Sequence, residues 1–387
     1  VRGGGAAPVP PEYLDHNESR VVRVSSEIEV ADAVRDAPGP LRIRGGGTRE
    51  FGGAGAVLDV SGIAGITLYE PGALTLVAKA GTPLAEVEAV LAAEGQRLAF
   101  EPADWRGLLG TSGEPTLGGM VAGNVSGPRR VQAGACRDAL LGVRFVDGTG
   151  AVIKNGGRVM KNVTGYDLVK LVAGSWGTLG VLTEVSLKVL PVPETSATLV
   201  IGGLDGAAVA AMTEALTSPY DVTGAAHGPE GTLVRIEGFA QSVAYRAAEL
   251  AKRLARFGAV EVERDPVRVA GLWRGVRDVA AFHGAEGDVW RLSVKPSDAP
   301  GLVARSGARQ VVYDWGGGLV WLLMPEGADL RAALGPFAGH ATLIRAGAET
   351  RARIPAFQPE PPAVAALSRG LRQRFDPRGI FNPGLMG

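Results

Sequence analysis

The sequence predicts an α+β protein in two parts, and three observations carry that prediction. Its 387 residues exceed what one small core organises, because domains usually run to about 100–200 residues. Strand-period and helix-period segments are mixed from Val21 to Pro193. From Ala197 the order becomes β-α-β-β-α-β, the ferredoxin-like pattern, which predicts an antiparallel sheet covered on one face by helices. The expected division is a flexible Gly- and Pro-rich arm over 1–20, a first domain over 21–193, a second over 194–360, and a C-terminal helix and tail over 361–387 that return to the first domain.

The elements follow in order. "RVVRVSS" alternates as a strand, "EIEVADAVRDA" has helical spacing, and "PLRIR" is a second short strand. "GAVLDVSGI" and "LTLVAKAG" alternate again. In "TPLAEVEAVLAAEG" a helix is expected with Thr82 as N-cap, Pro83 at its first position and Gly95 as its stop. Between Phe100 and Gly134 periodicity fades into a small-residue run, which predicts a long loop with a functional purpose. Asp147-Gly148 and Gly150 mark a hairpin, a helix is expected around "GYDLVKLVAG", and "VLTEVSLKVLPVP" is a strand that ends at prolines. In the second part, "DVWRLSVKP", a hairpin "RQVVYDWGGGLVWLLMP" and a helix near "DLRAALGPF" extend the sheet, and "AVAALSRGLRQRF" is an amphipathic helix.

Composition removes several classes of function. Forty basic residues balance forty acidic ones, so no charge excess points to nucleic acid or an anionic membrane. One cysteine, Cys136, excludes an internal disulfide and a cysteine-ligated iron–sulfur cluster held by this chain alone. It reads as a small packed residue rather than a reactive thiol. No run of about 18 apolar residues occurs, and the opening stretch lacks a signal peptide's apolar core, which predicts a cytoplasmic protein. Peripheral attachment to the inner membrane through partners stays open.

The glycines divide by context. "GGG" occurs at 3–5, 45–47 and 316–318. The last lies between alternating strands and reads as a hairpin turn. Gly45 to Gly47 follow a strand and end in Thr48, and successive glycines can aim several backbone N–H groups at one phosphate. A dinucleotide fold of the G-x-G-x-x-G type opens directly into a helix, whereas here another strand follows, so spacing alone leaves a phosphate cradle and a plain turn both open. "PTLGGMVAGNVSG" and "GSWGTLGVLTE" are two further small-residue segments that would let a flat ligand lie against backbone.

Taken together, "RIRGGGT", "PTLGGMVAGNVSG", the run from "RDALLGVRFVDGTG" through "KNVTGYDLVKLVAGSWGTLGVLTEVSLKVLP", and the terminal "FDPRGIFNPG" resemble the vanillyl-alcohol-oxidase-type (PCMH-type) FAD-binding flavoproteins. Within them the likeness is to the E-type, FAD-binding subunits of bacterial glycolate oxidase. The resemblance implies a two-subdomain PCMH-type FAD-binding domain followed by a ferredoxin-like cap. It implies non-covalent FAD, since Thr48, Arg49 and Glu50 follow the glycines where covalently flavinylated relatives often carry a histidine. It implies that Gly45, Gly46, Gly47, Thr48 and Arg49 line the FAD pyrophosphate. Thr116, Leu117, Gly118, Gly119, Ala122 and Asn124 would lie along the flavin and ribityl-phosphate side. Gly177, Thr178, Gly180 and Val181 would flank the cofactor, with Val181 near the adenine, and Lys161 to Leu168 would brace the site. The partners implied are a D-type catalytic flavoprotein subunit, an iron–sulfur subunit and a small 2-hydroxy acid.

Departures from the D-type pattern matter too. Trp176 stands where the D-type protein has Glu in "GSEGTLG", and its His-x-His metal and base motif is missing: His16, His227, His283 and His340 are scattered. No metal site and no catalytic residue is assigned. Arg274, Arg277, Arg291 and Arg345 of the cap have the chemistry to grip a carboxylate. With only seven lysines among forty basic residues, arginine is this sequence's general habit, so each is read first as a salt-bridge residue. Three functions follow: an FAD-binding glycolate oxidase subunit, a non-catalytic flavin-bearing relay, or an autonomous FAD oxidase acting on a sugar or lactone.

Overall fold

The computed structural model describes residues 21–158, 165–203 and 206–386. The arm over 1–20 with His16, and the first part of the Lys161 to Leu168 segment, lie outside the described residues.

Strands β1 (Val21–Arg23), β2 (Leu41–Arg44) and β3 (Ala56–Asp59) form a parallel sheet in the order β1-β3-β2. A parallel pair needs a crossover. Between β1 and β2 it is the helix Glu27–Arg35, capped by Ser26, whose hydroxyl accepts the Glu29 N–H at 3.3 Å. Val30 and Val34 of that helix, with Leu41, Leu58 and Ile63, make a small core. Between β2 and β3 the crossover is the glycine-rich loop itself. It therefore sits at the carboxyl end of a parallel strand, where open sheets present ligand crevices.

The second sheet is antiparallel and contains β4 (Ile66–Glu70), β5 (Thr75–Lys79), β6 (Gln96–Leu98), β7 (Leu140–Val146), β8 (Val152–Gly156) and β9 (Val181–Pro191). Its order is β4-β5-β9-β7-β8, with β6 paired to β9. β9 alternates buried Val185, Leu187 and Val189 with more polar neighbours, and helix Leu84–Ala93 adds Val87 and Leu91 to the same core. β4 escaped the sequence reading because its mixed exposure blurs the alternation. Thr82 does not cap the helix. Its hydroxyl donates to the Lys79 carbonyl at 2.7 Å and accepts the Gly65 N–H at 2.9 Å, which leaves Pro83 as the cap and Leu84 as the first helical residue. Nor is 100–134 a bare loop: it holds helices Arg106–Leu109, Leu117–Ala122 and Arg130–Ala133. Helices of one turn are too short to show a 3.6-residue period.

The third sheet has eight antiparallel strands: β10 (Thr195–Ile201), β11 (Val222–Gly228), β12 (Gly231–Gly238), β13 (Val260–Glu263), β14 (Asp288–Val294), β15 (Gln310–Asp314), β16 (Leu319–Met324) and β17 (Gly339–Arg345). The order is β13-β10-β12-β11-β15-β16-β14-β17. Its first four strands are the expected β-α-β-β-α-β unit. The last four extend that sheet, as expected, and in doing so form a second such unit with helices Ala299–Ser306 and Leu330–Leu334. The two meet edge to edge where His227 pairs with Tyr313. Helices cover one face over two apolar clusters. The expectation of a single covered face needs correction. Helix Pro266–Arg277 lies on the other face of the first unit, its Trp273 Nε1 donating to Thr198 Oγ1 at 2.8 Å. On that face of the second unit, Val312, Leu319, Trp321, Leu323 and Ile344 join the core of the six-stranded sheet.

Helix Pro362–Phe375 buries none of its residues, and Leu367 is 72% exposed, so the apolar stripe of its sequence faces outward. Beyond it the chain returns to β2, where Phe381 bridges Leu41 and Asn382 N–H donates to the Leu41 carbonyl at 2.9 Å. No helix among the described residues is long and apolar enough to cross a membrane.

Candidate functional site

Three glycine-bearing segments that are far apart in sequence meet around one cavity at the carboxyl end of β2. Gly45, Gly46, Gly47, Thr48 and Arg49 line it, facing Thr116, Gly118, Gly119 and Ala122, with Gly177 and Gly180 completing the wall. The loops touch so closely that side chains are excluded. A Cβ on Gly46 would stand 1.6 Å from the Glu114 carbonyl oxygen, and one on Gly45 would stand 2.3 Å from Thr116 Oγ1. Gly47 sits at φ +69°, a left-handed conformation that favours glycine. No backbone acceptor among the described residues takes the N–H groups of Gly46, Gly47 or Thr48.

The charges at this cavity suit an anion. Arg42 Nε and Arg49 Nε are buried without a hydrogen-bond partner, and both residues line the cavity. Burial pushes the Arg49 guanidinium down to about 10, against the pull of Asp104 and Asp278. It stays charged at neutral pH, held by a donation to the Ala103 carbonyl and by the Trp105 ring 5.2 Å away. Arg44 is already satisfied by Asp59 at 3.1 Å. Unpaired backbone donors and two orphaned guanidinium nitrogens are what a pyrophosphate would satisfy, so the residues present fit FAD.

Other expected residues lie elsewhere. Leu117 is fully buried in the core, Thr178 turns its hydroxyl to the Ser175 carbonyl at 2.7 Å, and Val181 packs in the small core around β1–β3. Asn124 borders a second cavity, and its Oδ1 accepts the Arg137 N–H at 2.9 Å. Sequence reasoning missed Arg42, Asn382 and the placement of Trp176. Asn382 lies in the "FNPG" motif. Its Oδ1 accepts the Ile43 N–H at 2.9 Å and its Nδ2 donates to the Trp176 carbonyl at 2.8 Å, tying the glycine strand to the third segment.

The second cavity, of about 510 Å³, lies between residues 123–127 and the inner face of the eight-stranded sheet. Trp176 borders both cavities, and its ring meets Phe51 at 4.7 Å and Phe357 at 5.6 Å. The cap arginines separate here. Arg277 pairs with Asp278 at 2.8 Å, Arg345 donates to the carbonyls of Leu108, Phe282 and Ala285, and Arg274 is exposed. Arg291 faces the cavity. His283 bonds the Asp278 carbonyl through Nε2, and His340 borders the cavity, its pKa lowered by burial and then by Arg291 and Arg130. Cys136 is wholly buried, and burial with nearby Asp138 pushes its thiol far up, which suits a packing role.

Comparison with known proteins agrees with this geometry. Residues 19–156 match the family model described as an FAD binding domain. Glycolate oxidase subunit GlcE of Escherichia coli (strain K12) is 36% identical over 363 residues, covering 92% of this chain and 95% of that protein. Glycolate oxidase subunit GlcD of Bacillus subtilis (strain 168) is 33% identical over 186 residues, 47% of this chain and 36% of that protein. Among solved structures, an alkyldihydroxyacetonephosphate synthase superposes with a TM-score of 0.67 over 94% of this chain and 76% of that one, at 16% identity, a likeness of fold alone. With a near end-to-end match to GlcE laid over a glycine-walled cavity that fits a pyrophosphate, the chain belongs to the GlcE family of FAD-binding, PCMH-type oxidoreductases.

Proposed function

We propose that this chain is the FAD-carrying subunit of a glycolate oxidase complex. It takes part in oxidising a short 2-hydroxy acid beside a D-type flavoprotein subunit, and electrons leave through a separate iron–sulfur subunit. The match to GlcE along nearly the whole of both proteins carries this reading. A separate iron–sulfur subunit is in keeping with a chain that has one cysteine. The working division is an FAD domain over 21–193, a cap over 194–360 and a returning tail over 361–387.

In this reading FAD, when bound, supplies the ring that accepts the hydride. The chain's own residues do the rest. Backbone N–H groups of Gly46, Gly47 and Thr48, with Arg42 and Arg49, hold the pyrophosphate. Thr116, Gly118, Gly119, Ala122 and Asn124 give a flat wall toward the second cavity, and Gly177 and Gly180 let the third segment approach closely. Trp176, Phe51 and Phe357 keep water from the passage between the cavities.

The test is to purify the chain alone, record its flavin spectrum and add glycolate without oxygen. Stoichiometric non-covalent FAD that bleaches is the expected result. A chain that carries flavin but bleaches only after a partner subunit is added would instead be a relay. That second reading draws on one observation: among the described residues, His340 is the one histidine bordering the second cavity. A chain that takes up no flavin refutes both.

A further inference from the structure

The second cavity holds an imbalance of charge that the pyrophosphate cradle leaves unexplained. Its sheet wall should be apolar, because the same face carries Val289, Trp321, Leu323 and Ile344 into the core. Alternation along β14 sends Trp290 and Leu292 to the helix-covered side and leaves Arg291 and Ser293 facing inward. On β17, Thr342 pairs with Arg291 and His340 with Ser293. Four polar side chains thus form one square on the inner face of the sheet, with Thr342 buried and His340 at the exposed edge, and all four border the cavity.

Arg291 lies 5.3 Å from the centroid of Trp315 and 6.0 Å from that of Trp321. Arg130, from the other wall, lies 4.4 Å from the Trp315 centroid. Among the described residues, neither guanidinium forms a hydrogen bond or an ion pair; their contacts are with aromatic rings. Neither carboxylate of the cavity lining, Asp314 or Glu360, pairs with them. Asp314 Oδ1 accepts the Trp315 N–H at 2.7 Å, and burial favours its neutral form. Two guanidiniums beside Trp105, Trp315 and Trp321, on which Asp138 and Asp314 act only without direct pairing, leave their donors free for an anion in the cavity. The planar fork of arginine matches a carboxylate, and the adjacent hydroxyls and imidazole offer hydrogen bonds to an oxygen next to it.

We propose that Arg291, backed by Arg130 across the Trp315 ring, is the carboxylate-binding residue of this cavity. Its ligand is a short organic acid with an oxygen on the carbon beside the carboxylate, contacted by Ser293, Thr342 and His340. The choice of that acid rests on the glycolate oxidase reading, whereas the anion site rests on the unpaired arginines.

Calorimetric titration of the purified chain with oxalate, which cannot be oxidised in this way, tests the site. It is read beside FAD content and the change in the flavin spectrum. Wild type should bind oxalate and glycolate. Arg291→Gln should weaken both by about 10- to 100-fold, as expected for loss of a charged hydrogen-bond partner, at unchanged FAD content. Arg291→Lys, which keeps the charge but loses the fork, should fall between them, and exposed Arg274→Ala should match wild type. If Arg291→Gln does not fold, Arg291→Lys and Arg130→Gln carry the same test. Unchanged oxalate affinity in folded variants overturns the proposal, as does loss of FAD with oxalate binding retained, which would assign Arg291 to the cofactor. Inorganic phosphate binding as tightly as oxalate overturns the carboxylate assignment. A chain without flavin that still binds oxalate through Arg291 refutes the proposed function while upholding this site.

Discussion

Asp314 shows what one buried residue can reveal that its sequence position cannot. It is 2% exposed at the end of β15, and burial pushes its carboxyl from 3.8 up to about 7. Because the folded state holds the proton more tightly, no penalty exists below about pH 4. Between about pH 4 and pH 7 the unfolded chain ionises while the folded one does not, so stability falls with rising pH, and above about 7 the penalty is constant. Asp314→Asn keeps the oxygen that accepts the Trp315 N–H and removes the titration. The variant should be about 1–3 kcal/mol more stable than wild type at pH 8 and equal to it near pH 4. Urea unfolding at the two pH values checks this, and an equal gap at both would refute the assigned cause.

At the scale of elements, the cradle depends on loops that cross at backbone contact. A Cβ on Gly46 would strike the Glu114 carbonyl, and one on Gly113 would strike the Gly46 carbonyl. Gly46→Ala should therefore push the 45–48 and 113–116 segments apart, lowering stability by about 2 kcal/mol or more and stripping bound FAD. Gly72→Ala, where nothing lies within 4 Å of the added Cβ, is the matching control. Thermal unfolding and flavin content of the two purified variants measure the difference. Retention of FAD by Gly46→Ala would show that the crossing is not needed. The triplet at 45–47 was legible as a candidate from its setting between strands. Its need for Gly113 was not, because a contact between residues about seventy positions apart leaves no local pattern.

For the whole molecule, the six- and eight-stranded sheets are joined by a buried ion-pair network as well as by apolar packing. Arg235 of β12 donates to both oxygens of Glu101 at 2.9 and 3.0 Å, and Glu237 pairs with Arg97 at 3.0 Å and also with Arg129. Burial opposes the Glu237 charge, but a hydrogen bond from Arg129 and the charges of Arg235, Arg129 and Arg97 hold its carboxyl well below the usual range. A depressed pKa contributes stability that is present above the unfolded value of 4.5 and lost as pH falls through the folded one. Glu237→Gln strips Arg97 of its carboxylate and leaves Arg129 and Arg235 with Glu101 alone, and should cost about 3–5 kcal/mol at pH 7. The deficit should shrink on acidification below about pH 4, and denaturant melts from pH 7 to pH 3 measure it. A deficit independent of pH would point to packing rather than charge.

The sequence by itself determined the α+β class, the first β-α-β-β-α-β unit, the glycine segments and, through its motifs, the family. These are short-range signals: alternation, helical period, turn chemistry and residue types that tolerate close backbone approach. Only the tertiary structure decided that the last four strands form a second such unit, that Val181 and Leu117 belong to cores, and that Arg291 stands unpaired at a cavity while Arg277 and Arg345 do not. The four cap arginines share one side-chain chemistry. What separates them is which carboxylate, carbonyl or aromatic ring the fold brings within reach, and those partners come from distant parts of the chain.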